Sequence, residues 1–241
     1  MAEHPVTGLF VVVEAADGSG KTSIVDHLVP ILASTGRTVR RIDRGRPNGD
    51  RAHADLVRAV DRLFRSDAAT DAGWEQLSLA AAVQYRSILH AQVAPAVAAG
   101  EVVIAESWWD KTRIRLGVEA AAHHGHSVER QHAFAAWQQS LLPPAASADR
   151  QRLTVHIDTP QPDRTAWYRA AGCPAPYLDH NGKLSRDPDG YGRFTELIAA
   201  RLRDVCAGQG WPTVTNGGAR TADAAAADLH RLIADRLAQP A

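Results

Sequence analysis

Leu9-Phe-Val-Val-Val-Glu-Ala-Ala-Asp-Gly-Ser-Gly-Lys-Thr-Ser-Ile24 is the stretch that decides the fold. Its opening, Leu9 to Val13, is a continuous apolar run, β-branched over Val11–Val13, of the kind that suits a parallel strand covered on both faces. The run breaks into a small, glycine-bearing loop and then into Gly20-Lys21-Thr22, after which Ile24, Val25 and Leu28 take helical spacing. Strand, phosphate loop and helix follow in that order. Successive backbone N–H groups of such a loop point at an anion, and the helix dipole adds partial positive charge. Lys21 supplies a full charge for β- and γ-phosphates, and the Thr22 hydroxyl can reach Mg²⁺. The expected ATP-binding set is therefore Asp17, Gly18, Ser19, Gly20, Lys21, Thr22 and Ser23. The glycine that usually opens this pattern is Ala15, a small residue that gives up backbone freedom without adding bulk.

The rest of the composition narrows the partners of that loop. The 241 residues suffice for one α/β domain spanning 1–241. Lys plus Arg and Asp plus Glu balance at 27 each, so no global basic field points to nucleic acid or to an anionic membrane. The two cysteines, Cys173 and Cys206, form no framework or metal-ligand spacing and suit a reducing compartment. No leader-like segment or membrane-length apolar run is present in the sequence, and the expectation is a soluble, cytoplasmic protein.

Strand and helix signals alternate along the chain. Helices are expected over about 21–34, 54–64, 74–98, 127–142, 162–171, 194–207 and 222–237. Strands are expected over 38–42, 102–105, 153–157 and 212–215, in addition to the first. The stretch 106–126 is mixed in character, and 172–193 reads as a long loop of the sort that usually serves function. The alternation predicts a three-layer α/β/α fold with a central parallel sheet of about five strands. Ligands in such sheets gather at the carboxyl ends of the strands, which singles out 14–22, 43–49, 106–116 and 158–160.

A phosphate loop alone does not separate a GTPase, a motor ATPase and a small-molecule kinase. No Asn-Lys-x-Asp segment for reading guanine occurs. Val155-His156-Ile157-Asp158 is the nearest strand ending in an aspartate, but Thr-Pro follows it rather than a second carboxylate. A small kinase needs a phosphate loop, an acceptor pocket with a carboxylate and an arginine-bearing lid that excludes water. Glu106, directly after the strand 102–105, is the carboxylate candidate. The 172–193 loop is the lid candidate, with Arg186 and Arg193 placed to embrace transferring phosphates and Arg164 and Arg169 as alternatives on the preceding helix. Asp158 is a second candidate for the metal, alongside Thr22. His123, His124 and His126 have no matching Cys or carboxylate set and suit a solvated turn.

Phe10-Val-Val-Val-Glu14-Ala-Ala-Asp17-Gly-Ser-Gly-Lys21-Thr22 resembles the opening of the thymidylate kinases, and most of the chain follows that family's order. The resemblance implies a P-loop kinase fold with a mobile lid, use of ATP with Mg²⁺, and phosphoryl transfer to a nucleoside monophosphate. It places Asp17 near the acceptor sugar. Arg86, twenty residues before Glu106, matches the spacing of the family's base-contacting arginine. Homodimerisation is compatible with the resemblance.

The acceptor half departs from the family. Its Asp-Arg-Tyr/His motif reads Glu106-Ser107-Trp108 here, and Ser107 cannot make the arginine's bidentate contact with a phosphate. The following Asn/Ser positions read Lys111 and Thr112, and Arg44-Gly45-Arg46-Pro47 replaces an aromatic-Gly loop. Two explanations stay open. Arg44, Arg46 or Lys111 holds the acceptor phosphate from new positions, with Trp108 as a pocket wall. Otherwise the acceptor has no phosphate and Glu106 acts as base on a hydroxyl, as in nucleoside kinases. A nucleotide-binding module without transfer is the alternative outside enzymes.

Overall fold

A computed structural model describes residues 8–43, 51–65, 73–141, 151–173, 177–178 and 184–239 of the chain. Five strands form one all-parallel sheet: β1 (Leu9–Glu14), β2 (Val39–Ile42), β3 (Val102–Glu106), β4 (Arg152–Asp158) and β7 (Thr213–Thr215), in the order β2-β3-β1-β4-β7. β1 is central, paired with β3 through Val13↔Glu106 and with β4 through Glu14↔His156. The helices are α1 (Lys21–Ser34), α2 (Arg51–Arg65), α3 (Trp74–Ile88), α4 (Ala94–Ala98), α5 (Trp109–His124) and α6 (Val128–Leu141) in the first part. α7 (Gln161–Ala170), α8 (Pro188–Gln209) and α9 (Ala222–Ala238) complete the set, with a small antiparallel pair, β5 (Tyr177–Leu178) and β6 (Leu184–Ser185), before α8.

Alternation along β1 builds the layers, because successive strand side chains point to opposite faces. Leu9, Val11 and Val13 pack with Ile24, Leu28 and Leu32 of α1 and with Leu229 and Ile233 of α9. Phe10 and Val12 pack on the other face with Tyr85 and Ile88 of α3 and with Trp108 and Trp109. The expected three-layer fold and five-stranded parallel sheet are the ones observed. Among the described residues, no helix is long and apolar enough to cross a membrane.

Three segments differ from the sequence expectation. Residues 109–124, mixed in character, form the regular helix α5, whose apolar Ile114, Leu116 and Ala120 are buried against neighbouring helices. The helix expected from Phe194 begins six residues earlier, at Pro188. Asp187 caps it by accepting from the amides of Asp189 and Gly190, and proline suits the first helical position. The loop expected over 172–193 thus gives way to a helix from Pro188 onward. The helix expected over 74–98 is continuous in direction but passes through a π turn at Leu89–Val93 between α3 and α4.

Candidate active site

The phosphate loop closes around its own lysine. Lys21 Nζ donates to the carbonyls of Ala15 (3.2 Å) and Ala16 (3.0 Å), and Ser19 Oγ donates to the Ala16 carbonyl at 2.8 Å. Gly18 and Gly20 hold φ of +76° and +73°, which a side chain disfavours, and a Cβ at Gly20 would stand 2.6 Å from Asn216 Nδ2. Two distant residues fasten the loop's far wall. Thr159 Oγ1 (3.2 Å) and Asn216 Nδ2 (2.8 Å) both donate to the Ser19 carbonyl. Ala15 is fully buried in the core, so the position that usually carries glycine is used for packing.

Glu106 leaves β3 on the α1 face and meets Thr22, whose Oγ1 donates to Oε2 at 2.7 Å. Oε1 is paired with Arg41 of β2, which also donates to Asp26 of α1 at 2.6 Å. This corner regroups the expected metal residues. Thr22 faces Glu106, whereas Asp158 ends β4, on the opposite side of β1, and accepts from Arg203 at 3.2 Å. The hydroxyl and carboxylate are hard oxygen donors, the set that Mg²⁺ takes alongside phosphate oxygens. Thr22 and Glu106 thus fit the cation that the loop implies.

On the other flank of Lys21, α5 presents Lys111 and Arg115, one helical turn apart, to Asp17 of the loop. Lys111 Nζ donates to Asp17 Oδ1 at 2.8 Å, and Arg115 Nη1 lies 3.9 Å from Oδ2. Burial works against ionisation of Asp17, but Lys111, Lys21 and Arg115 hold it well below the usual carboxylate range. Burial pulls Lys21 down to about 8, and Asp17 offsets part of that drop. Arg115 also donates to Glu119 at 2.9 Å, which with Asp17 keeps its guanidinium charged.

Beneath the loop, Glu14 is fully buried at the end of β1. Its Oε1 accepts from the Trp108 amide at 3.0 Å. Burial, and then Asp110, pushes its carboxyl up from 4.5 to about 7, against Arg152 and the Trp108 and Lys111 amides. The folded protein therefore keeps this proton to about pH 7, whereas the unfolded chain loses it near 4.5, and stability falls as pH climbs through that window. Glu14→Gln removes the slope. Thermal or urea unfolding at about pH 5 and about pH 8 is expected to show the variant gaining roughly 3 kcal/mol on the wild type. Parallel pH dependences for the two proteins would contradict this account of Glu14.

The remaining expected residues lie at varying distances from this chemistry. Trp108 is almost completely buried, edge-on to Phe10 with ring centroids 5.1 Å apart and tilted against Tyr85 at 4.7 Å, so the structure places it in the core rather than at a pocket rim. Ser23 is exposed in the first turn of α1 and Arg86 is exposed on α3. Arg186 donates to the Cys173 carbonyl at 2.6 Å and Arg193 faces Asp187 at 3.9 Å. Arg164, an alternative lid arginine, is instead buried, donating to the Thr159 carbonyl and pairing with Glu196. Arg169 pairs with Asp189 at the surface. Arg44 and Arg46 lie outside the described residues. His124 and His126 stack, and no group of three His, Cys, Asp or Glu residues suited to a metal ion occurs among the described residues.

Sequence reasoning missed Arg41, Arg115, Thr159 and Asn216 and did not assign Glu14 a role. Glu14 and Thr159 lie within the strand-end windows 14–22 and 158–160, and Arg115 lies four residues beyond Lys111, where a helix over 109–124 puts both on one face.

No protein-family profile matches the chain. A thymidylate kinase of Verminephrobacter eiseniae is 29% identical over 243 aligned positions, spanning 88% of this chain and 98% of its own. A thymidylate kinase of Baumannia cicadellinicola is 29% identical over 197 positions, spanning 81% of this chain and 85% of its own. The loop and strand-end resemblance thus extends, at a distance, across most of the chain.

Proposed function

We propose that this thymidylate kinase-like chain, acting as a single domain, transfers the γ-phosphoryl group of ATP to a nucleoside monophosphate, thymidylate or an analogue of it. The observation that carries the proposal is the Thr22–Glu106 contact, which sets a strand-end carboxylate at the cation corner of a lysine-bearing phosphate loop. Mg²⁺, when bound there, would neutralise charge on the β- and γ-phosphates. Lys21 leaves the Ala15 and Ala16 carbonyls to meet phosphate oxygens, and the loop amides share the remaining charge. Lys111 and Arg115, held on Asp17, supply positive charge on the acceptor side in place of the arginine replaced by Ser107. Asp17 positions that pair, and Arg186 or Arg193, the arginines of the expected lid, closes over the transferring group.

One feature favours a phosphate acceptor over a hydroxyl. Both oxygens of Glu106 are engaged, by Thr22 and by Arg41, which suits a charged positioning group rather than a free base. A phosphate oxygen is already ionised at neutral pH. It attacks the γ-phosphorus and the bond to the β,γ-bridging oxygen breaks, so ADP leaves without any side chain taking a proton.

An ATP-consumption screen of purified protein against nucleosides, nucleoside monophosphates and unrelated hydroxyl metabolites tests the proposal. Turnover is expected with thymidylate or a related monophosphate. Turnover restricted to nucleosides would return Glu106 to the role of base. ATP binding with no acceptor at all would leave a nucleotide-binding module.

A further inference from the structure

The end of β3 turns through an unusual conformation. Ser107 has φ of +65°, the left-handed region that non-glycine residues avoid, and it directly follows Glu106. Such a turn persists only where neighbours over-determine it. Here two amides are held: Ser107 N–H donates to the Val13 carbonyl at 2.9 Å, and Trp108 N–H donates to Glu14 Oε1 at 3.0 Å. The first bond continues the β1–β3 ladder, in which Val13 is paired with Glu106. The second is made by a buried carboxyl side chain at the end of the layer that holds Phe10, Val12, Tyr85 and Trp108, with Asp110 and Arg152 as its charged neighbours.

We propose that Glu14 is a positioning residue: by holding the Trp108 amide it maintains the left-handed turn at Ser107 that aims Glu106 across the sheet edge onto Thr22. An apolar side chain would fill this place at lower desolvation cost, so the carboxyl needs a reason to be there. The geometry supplies it. β1 directs Glu14 to the α3 face and β3 directs Glu106 to the α1 face, and the turn between Glu106 and Trp108 joins the two. Without the carboxyl, the Trp108 amide is left buried without an acceptor and Ser107 is free to relax toward ordinary φ. Glu106 then loses its fixed approach to the cation corner.

The inference rests on that corner serving nucleotide chemistry as proposed above, so its test includes a readout that needs no turnover. Glu14→Met keeps the volume and removes the acceptor, whereas Glu14→Gln keeps a carbonyl oxygen for the Trp108 amide. In ATP-free protein, hydrogen exchange of the amides in 106–109 is expected to accelerate about tenfold or more in Glu14→Met and to stay near wild type in Glu14→Gln. In turnover, Glu14→Met is expected to lower kcat on the order of 10- to 100-fold with the KM for ATP within about threefold. Glu14→Gln is expected to keep kcat. Ser107→Gly adopts the left-handed turn without help, so adding it to Glu14→Met is expected to restore most of the lost kcat. If Glu14→Met does not fold, Glu14→Asp, one methylene too short to reach the amide, takes its place. Unchanged exchange and kcat on losing the acceptor would overturn the assignment, as would no recovery with Ser107→Gly. If the wild type shows no transfer with any acceptor, the kinase proposal falls, and the exchange comparison still decides the role of Glu14.

Discussion

Replacing Lys21 with alanine is expected to reduce ATP-dependent transfer by about 10³-fold or more, the largest effect of any single change in the site. Lys21 carries a full positive charge to the interior of the phosphate loop, where its ammonium sits between the Ala15 and Ala16 carbonyls. Loop amides offer partial charges only, and a charge counts for more where water is excluded. Lys21 belongs to none of the apolar clusters that build the core. Its two bonds go to carbonyls, and burial already works against its charge, so circular dichroism and thermal unfolding of Lys21→Ala should match the wild type. Burial also sets a pH limit. With its proton held only to about pH 8 in the free protein, the ammonium is lost as pH rises through that value, and kcat/KM for ATP should fall on the alkaline side. Steady-state ATP consumption across pH, with the acceptor found in the screen, checks both statements. Undiminished transfer by Lys21→Ala would remove the loop from the mechanism.

Glu106→Gln is expected to lower kcat on the order of 10²-fold or more while ATP affinity stays nearly unchanged. The amide keeps the shape and still accepts from Thr22, but it brings no negative charge to a cation and leaves Arg41 with Asp26 as its remaining carboxylate partner. Because most of the ATP contacts expected of the loop are backbone groups and Lys21, binding is largely spared. The loss should shrink as Mg²⁺ is raised, since a weakened cation corner is filled by mass action. Kinetics over a Mg²⁺ series separate this outcome from a lost base, whose deficit would not respond to the metal. A wild-type rate in Glu106→Gln would take this carboxylate out of the chemistry.

The residues around Asp17 and Trp108 show how far local patterns carry. Ser107 in the position of an arginine was plain in the sequence, and so was the cationic Lys111. The arrangement of cations around Asp17 was not. Arg115 looked like one charge in a mixed segment until α5 brought it to the same carboxylate as Lys111. Arg164 presented itself as an available cation, and packing buried it under α8 with Glu196. Trp108 had the look of a stacking surface, yet its neighbours are Phe10 and Tyr85. In each case charge or aromaticity was visible, whereas the direction of the side chain depended on which helix face met the core for the arginines and on the turn after β3 for Trp108.

What the sequence determined by itself is the local and periodic part. The run Leu9–Val13 made a buried strand, Gly18 and Gly20 allowed the left-handed turns, Lys21 and Thr22 opened a helix, and the strand–helix alternation implied a parallel sheet with ligands at its carboxyl edge. Tertiary structure decided which of those strand ends meet. Thr22 and Glu106 are 84 residues apart, Asp17 and Lys111 are 94 apart, and Ser19 and Asn216 are 197 apart. These contacts follow from the order β2-β3-β1-β4-β7, which sets β3 and its Glu106 beside the phosphate loop and carries Asp158 to the far side of β1. Strand order is set by how whole layers bury their apolar faces, a sum over the chain that no window of sequence contains.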